Sequence, residues 1–210
     1  MANLVAPFGF RPKKTLNGGD WKGLVRTCYI PSSDGTAVFV GDVVKFNSAS
    51  GAAGLTISGM DMEGVPQVIV VASGTVTTDI AGVVVGFYPD PDNLMRKHRT
   101  ANTNRAVMIC PVPNVVFEVQ EDALVTPVAA ASVGLNAGFT LTAGGTLSGV
   151  SAFALDSDSV NTTPTLPIRI LGLSKRVGNA LNTGGAGVDT ATFDVAFTGG
   201  SHMAAWAAGA

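Results

Sequence analysis

The sequence predicts an all-β fold: a β-barrel or jelly-roll-like body with an extended N-terminal arm and little helix. Three observations carry this. Charged residues are only 13% of the 210 residues, against about 25% in ordinary globular chains. Glycine is abundant at 26 residues, and Val and Thr recur throughout, a mixture that suits strands and turns better than helices. Residues 80–122 hold three β-type runs around one long loop: Ile80-Ala-Gly-Val-Val-Val-Gly-Phe-Tyr88, Arg105-Ala-Val-Met-Ile-Cys-Pro-Val-Pro113 and Val115-Val-Phe-Glu-Val-Gln120.

The length suits one domain with arms and needs no disulfide or metal staple. Hydrophobic residues make up 46% of the chain, so little polar surface remains to cover an isolated sphere, and some apolar surface is expected to meet a partner subunit. Net charge is −2 with no polybasic block, which argues against nucleic acid as a partner. No run reaches the roughly 18 apolar residues of a membrane-spanning helix, so no membrane partner is expected. The first ten residues lack the charged start of a signal peptide. Folding in a cytoplasm follows, and Cys28 and Cys110, both in strand-like runs, read as buried free thiols.

Residues 1–24 place Pro7, Gly9, Pro12, Gly18 and Gly19 around Phe8, Phe10 and Trp21. Proline and glycine forbid a sustained helix there, and the aromatic rings need a dry surface. The reading is an extended arm whose rings pack on this subunit or on a neighbour; a disordered tail is the alternative. Residues 25–197 form the β-rich body. Leu24 to Ile30 is its first strand, closed by Pro31 and the Ser32-Ser-Asp-Gly35 turn. Val38 to Phe46 follows, bent or bulged at Gly41-Asp42. Asn47 to Gly54 reads as loop, Gln67 to Ala72 as a buried strand, and Thr75 to Thr78 as an exposed edge or turn.

Between Phe87 and Arg105, Pro89 and Pro91 stop the strand and open a loop too long for a hairpin turn. Such loops are commonly functional or interface-forming. Its charge is split, with Asp90 and Asp92 ahead of Arg96, Lys97 and Arg99. An inter-subunit contact through Tyr88, Arg96 and Arg99 is one reading, a solvated surface loop the other. Further on, Pro127 to Ser132 is a connector with room for one helical turn. Gly134 to Leu141, Ala152 to Leu155 and Ile168 to Leu173 are strands. Asp156 to Pro164 and Asn179 to Gly187 are loops. Thr190 to Phe197 alternates as a half-buried strand does. Residues 198–210 form a Gly/Ala tail with Trp206, in which Gly200-Ser-His-Met203 looks like a cloning scar.

A short internal echo is present. Val40-Gly41 and Val133-Gly134 are each followed, at the same spacing, by Phe46 and Phe139. Each half also holds a later Gly-apolar pair, Gly86-Phe87 and Gly172-Leu173. This pattern fits two related β halves, about 25–122 and 123–197.

No catalytic set is visible. The two histidines, His98 and His202, lie apart, and neither a His-x-x-x-His nor a Cys-x-x-Cys pattern occurs, so no metal or other cofactor is expected. The Asp90-Pro-Asp92 pair lacks the remaining ligands of a calcium loop. A Gly-x-Ser-x-Gly elbow is missing, Glu118 and Glu121 alone are a weak glycosidase signal, and the Gly-rich pieces lack the Lys-Ser/Thr of a phosphate-binding loop. The chain does not read as an enzyme.

The order of several motifs resembles that of tailed-bacteriophage capsid decoration (cement) proteins. These are Met1-Ala-Asn with Ala6-Pro-Phe-Gly-Phe-Arg-Pro12, Tyr29-Ile-Pro-Ser-Ser-Asp34, Val38-Phe-Val-Gly-Asp-Val-Val-Lys45 and Gly82-Val-Val-Val-Gly-Phe-Tyr-Pro-Asp-Pro-Asp-Asn93. Pro113-Asn-Val-Val-Phe-Glu-Val-Gln-Glu-Asp122, Val133-Gly-Leu-Asn136 and Leu166-Pro-Ile-Arg-Ile-Leu-Gly-Leu173 continue the series. The likeness covers about residues 1–173. It implies a β-barrel or jelly-roll-like body, a homo-oligomer (a homotrimer above all), the major capsid protein as partner, and a place on the capsid surface of a virion assembled in the host cytoplasm. It brings no catalytic residues. With it, Phe8, Phe10, Arg11 and Trp21 are expected to anchor the arm, and Tyr88, Arg96 and Arg99 to serve subunit or shell contacts. Other virion roles (head fibre, coat subunit, tail tube) and a cupin-like small-molecule barrel are the competing readings. The coat reading lacks its long spine helix, and the cupin reading lacks its histidine set.

Overall fold

The computed structural model describes residues 5–74, 80–122, 126–181 and 190–198. Thirteen strands and one short 3-10 turn, Ala130–Ser132, make up its regular structure, so the all-β expectation holds. The strands are β1 Arg11–Thr15, β2 Arg26–Ile30, β3 Val43–Ser50, β4 Thr56–Ile57, β5 Met60–Asp61, β6 Pro66–Val70 and β7 Ile80–Phe87. They continue as β8 Arg105–Pro111, β9 Val115–Gln120, β10 Asn136–Thr140, β11 Ala154–Asn161, β12 Ile168–Leu173 and β13 Thr192–Phe197. The edge expected at Thr75 to Thr78, and the tail from residue 199 with Trp206 and His202, lie outside the described residues.

Five strands close a barrel in the order β2-β6-β3-β7-β8, while a six-stranded sheet runs β1-β9-β13-β12-β10-β11. The far strand of that sheet returns to the end of β9 through a parallel Glu121–Leu155 bridge. Without β1, the two halves then share one strand order. In each, the third strand lies between the first and second, the first–third contact is parallel, and the fifth strand closes antiparallel on the first. The echo Val40-Gly41 and Val133-Gly134 falls at the same place in both. Gly41 donates its N–H to Val84 at 2.8 Å while Val84 donates back to Asp42 at 2.9 Å; Gly134 donates to Ile170 at 2.8 Å while Ile170 donates back to Leu135 at 3.0 Å. A bulge interrupts the fourth–fifth pairing before Gly86 in one half and before Gly172 in the other. The two sets of strands thus share their order and the place of the Val-Gly echo.

Their boundary differs from the expected one. β9 belongs to the second half rather than the first, because the chain turns at Pro113-Asn114, where Asn114 takes φ 68°. The N-terminal segment is not a free arm. Residues 11–15 pair antiparallel with β9, Arg11 opposite Glu118 and Thr15 opposite Val115, so the start of the chain is stitched to the second sheet.

One apolar core spans both halves. It gathers Val43, Val71, Val83 and Cys110 from the barrel with Phe117, Phe139, Leu155, Ile170 and Phe193 from the second sheet. A separate cluster, including Cys28, Ile30, Val44, Val84 and Ile109, fills the barrel itself. Phe10 is 1% exposed and sits at the seam, its ring 5.3 Å from Phe139 and 5.2 Å from Phe197. The backbone must approach closely here: a Cβ on Gly41, at φ +102°, would fall 2.7 Å from the Phe8 carbonyl, so only glycine fits without displacing the chain.

Three local readings are corrected. Asn47 to Ser50 continues β3 instead of starting a loop, helped by the Asn47 amide donating to the Gln67 side chain at 3.2 Å. β11 runs on through Asp156-Ser-Asp-Ser to Asn161, because Asp122 accepts from the Ser157 N–H and hydroxyl at 3.1 and 3.0 Å, and Ser159 accepts from the Gly138 N–H at 2.8 Å. β13 is buried on both faces rather than one: Lys13 covers Asp194, and Asn179 accepts from the Thr192 N–H at 2.9 Å.

Candidate interaction surface

The loop from Tyr88 to Asn104 links β7 and β8. Pro89 and Pro91 cannot extend the ladder, and Asp90 organises the turn that follows. Its side chain accepts from the Asp92 N–H at 3.1 Å and its carbonyl from the Asn93 N–H at 3.1 Å. Arg105 and Arg96 both reach the Asp90 carboxylate, at 2.8 and 3.1 Å. Tyr88 is half-buried, its hydroxyl 2.8 Å from that of Thr27. With the β4–β5 hairpin the loop lines a polar cleft of about 250 Å³ that includes Thr56, Asp90, Arg96, Asn104 and Arg105.

Arg99 is not available to a neighbouring subunit. It is fully buried and donates to the carbonyls of Thr103 at 2.9 Å, Pro31 at 2.6 Å, Asp34 at 2.8 Å and Thr36. Burial lowers its pKa, opposed by the Asp34 charge. The residue clamps the loop to the 31–36 turn, and the Val38 and Arg99 backbones also exchange hydrogen bonds of 3.0 and 2.9 Å. Next to it, His98 stacks on Phe39 with ring centroids 5.2 Å apart. Desolvation and then the charges of Arg96 and Arg105 lower the His98 pKa, against a hydrogen bond to the Thr146 backbone.

Held this way, the loop presents two apolar side chains to water. Leu94 is 77% and Met95 is 82% exposed, with Arg96 and Lys97 directly after them. These two were missed by the sequence reading, which weighed the charges of the loop. The available signal was an apolar pair inside a polar, proline-bounded segment.

The other expected contact residues lie near the N-terminus. Phe8 is half-buried beneath the Arg11 guanidinium at 4.7 Å, with Arg176 at 6.0 Å. Arg11 is exposed. Trp21 packs against the shared core. Phe10 and Trp21 are thus committed to their own subunit, leaving Phe8 and Arg11 on the surface. Below them, Lys13 donates to Asp194 at 2.8 Å and to Ser174 at 2.8 Å. Glu118 accepts from the Ser174 hydroxyl and pairs with Arg176 at 3.4 Å. These ionic contacts fasten β1 and the 174–176 segment over the polar side of β9 and β13.

Among the described residues no group of three or more His, Cys, Asp or Glu side chains is placed to hold a metal ion. No helix among them is long and apolar enough to cross a membrane. No family model matches the chain, and neither a curated protein nor a solved structure is similar to it.

Proposed function

We propose that this chain is a bacteriophage virion protein that decorates the outer capsid surface and stabilises the shell against the pressure of the packaged genome. Its partners are the major capsid protein and further copies of itself in a homotrimer, assembled in the host cytoplasm without nucleic acid, membrane or catalysis. The observation that carries the reading is the exposed pair Leu94 and Met95 on a loop fixed by Arg99 and Asp90. An apolar tip on a rigid support loses little conformational entropy on contact and gains from leaving water. The motif order described above supplies the identity of the partner.

Such a protein acts by binding. Whatever binds the assembled state and not the separated one stabilises it by mass action, and many weak contacts repeated over a lattice add through effective concentration. The test is to mix the purified chain with expanded, undecorated shells of its own phage and measure occupancy and burst resistance. Saturable binding that raises resistance is expected. A chain that stays in solution at high concentration overturns the reading.

A further inference from the structure

Glu118 on β9 and Asp194 on β13 stand directly opposite each other across the antiparallel pair, so their carboxylates share one face of the sheet. Both residues are largely buried, at 6% and 8% exposure. Like charges so placed repel, and β1 brings a lysine to them. The β1–β9 register slips between Pro12 and Lys14. Lys13 is therefore the extra residue of a bulge, a device that re-aims a side chain. Its Nζ lies 2.8 and 3.1 Å from the two Asp194 oxygens and 3.8 Å from Glu118 Oε1. It also donates to the Ser174 hydroxyl at 2.8 Å, and that hydroxyl donates to Glu118 Oε1. Amine and second carboxylate are thus joined by a proton path through a buried serine. The Asp90 cluster differs in kind: its carboxylate meets two arginines, whose guanidinium groups stay protonated and are not nucleophiles.

We propose that Lys13 and Asp194 condense into an isopeptide bond, with Glu118 as the acid–base residue. A proton leaves the Lys13 ammonium for Glu118 through the Ser174 hydroxyl, and Glu118 passes a proton to the facing Asp194 carboxylate. The neutral amine then attacks Asp194 Cγ, forming the C–N bond. A second proton moves from the nitrogen to the hydroxyl on that carbon, and the C–O bond breaks to release water. One ammonium and one carboxylate become one amide and one water, with no oxidant, reductant or cofactor. Poor hydration narrows the gap between an ion pair and its neutral counterpart. Fixed placement supplies the rest, since well-oriented neighbours react as if at roughly 10⁵–10⁸ M. The event happens once per chain and turns over no substrate. It joins the first strand to the last across β9, so β1 can no longer peel from the sheet, and the unfolded chain stays closed between residues 13 and 194.

Mass spectrometry of the full chain, folded first and then denatured, reads the bond directly. The unaltered protein is expected below its sequence mass by one water. Its tryptic digest should hold one branched peptide joining Lys13 to Asp194. Lys13→Arg and Glu118→Gln, each checked for folding by thermal unfolding, are expected at full sequence mass. Lys14 lies 3.9 Å from Asp194 Oδ2, farther than Lys13, so Lys14→Arg should keep the water loss. An unaltered, folded chain that stays at full sequence mass after prolonged incubation overturns the proposal. A water loss mapped to any other pair of residues overturns it equally. Bond formation in the Glu118→Gln chain overturns the acid–base assignment. None of these measurements involves a shell, so their outcome is separate from that of the decoration reading.

Discussion

Phe10 meets Phe139 edge to face across the seam between the two halves, with ring centroids 5.3 Å apart. The contact joins the N-terminal segment to the first strand after the 3-10 turn, so one ring ties the start of the chain to its middle. Phe10→Ala would remove that ring from a site 1% exposed, also touching Phe197. The expected loss is about 3–5 kcal/mol, the range for truncating a buried phenylalanine. Urea unfolding checks it, and a loss below about 1 kcal/mol would show that the seam closes without it.

Arg99 supports the loop through backbone carbonyls, so its removal leaves several buried acceptors unpaired. Arg99→Met is expected to destabilise the protein by about 3 kcal/mol or more and to speed tryptic cleavage at the exposed Lys97. Arg99→Lys should rescue only part, because an ammonium has three donors and no fork. Cleavage rates of the three proteins separate these outcomes.

Asp42 sets a pH dependence. It is 2% exposed, and burial pushes its carboxyl up from 3.8 to about 6, opposed by hydrogen bonds from Ser151 and the Phe39 N–H. The folded pKa lies above the unfolded one. Its full contribution to stability is therefore present below pH 3.8 and is lost as pH rises through about 6. The loss is about 3 kcal/mol at neutral pH. Glu121, also raised by burial, acts in the same direction. Asp42→Asn should raise the urea midpoint at pH 7.5 and change it little at pH 4. Equal gains at both pH values would assign the effect to packing instead.

Cys28 and Cys110 are free and buried. Burial pushes Cys28 up to about 11, opposed by Arg26, and Cys110 up to about 12, opposed by Trp21. Thiolate is the reactive form, so a thiol reagent at pH 8 should leave both untouched in the native protein. Both should react once guanidinium unfolds it. Rapid native labelling of either would place it at the surface.

Much of this architecture was legible in residues with strong patterns. The apolar runs at Ile80–Phe87, Arg105–Pro111, Val115–Gln120 and Ile168–Leu173 are strands where the sequence expects them. The Val-Gly spacing shared by residues 40–46 and 133–139 marked the same point of both halves. What stayed hidden depends on distant partners. β1 is Arg-Pro-Lys-Lys-Thr, which has no apolar alternation; β9 pairing and the Asp194 and Glu118 carboxylates make it a strand. Asp156 to Asn161 looks like loop by composition, yet it is a strand in which Asp122, distant in sequence, accepts from the Ser157 N–H and hydroxyl. Arg99 and Arg96 are chemically alike in the sequence. Only the carbonyls of the 31–36 turn distinguish a buried clamp from a surface cation.

The stitching of residues 11–15 to residues 115–120 sets an order of events on the ribosome. Translation proceeds at roughly 5–20 residues per second, so the earliest strand emerges some seconds before the strand that receives it exists. The first barrel can close in that interval while the leading segment waits unpaired, its Phe10 without a home. Residues 11–15 therefore stay without their ladder until residues 115–120 have been made.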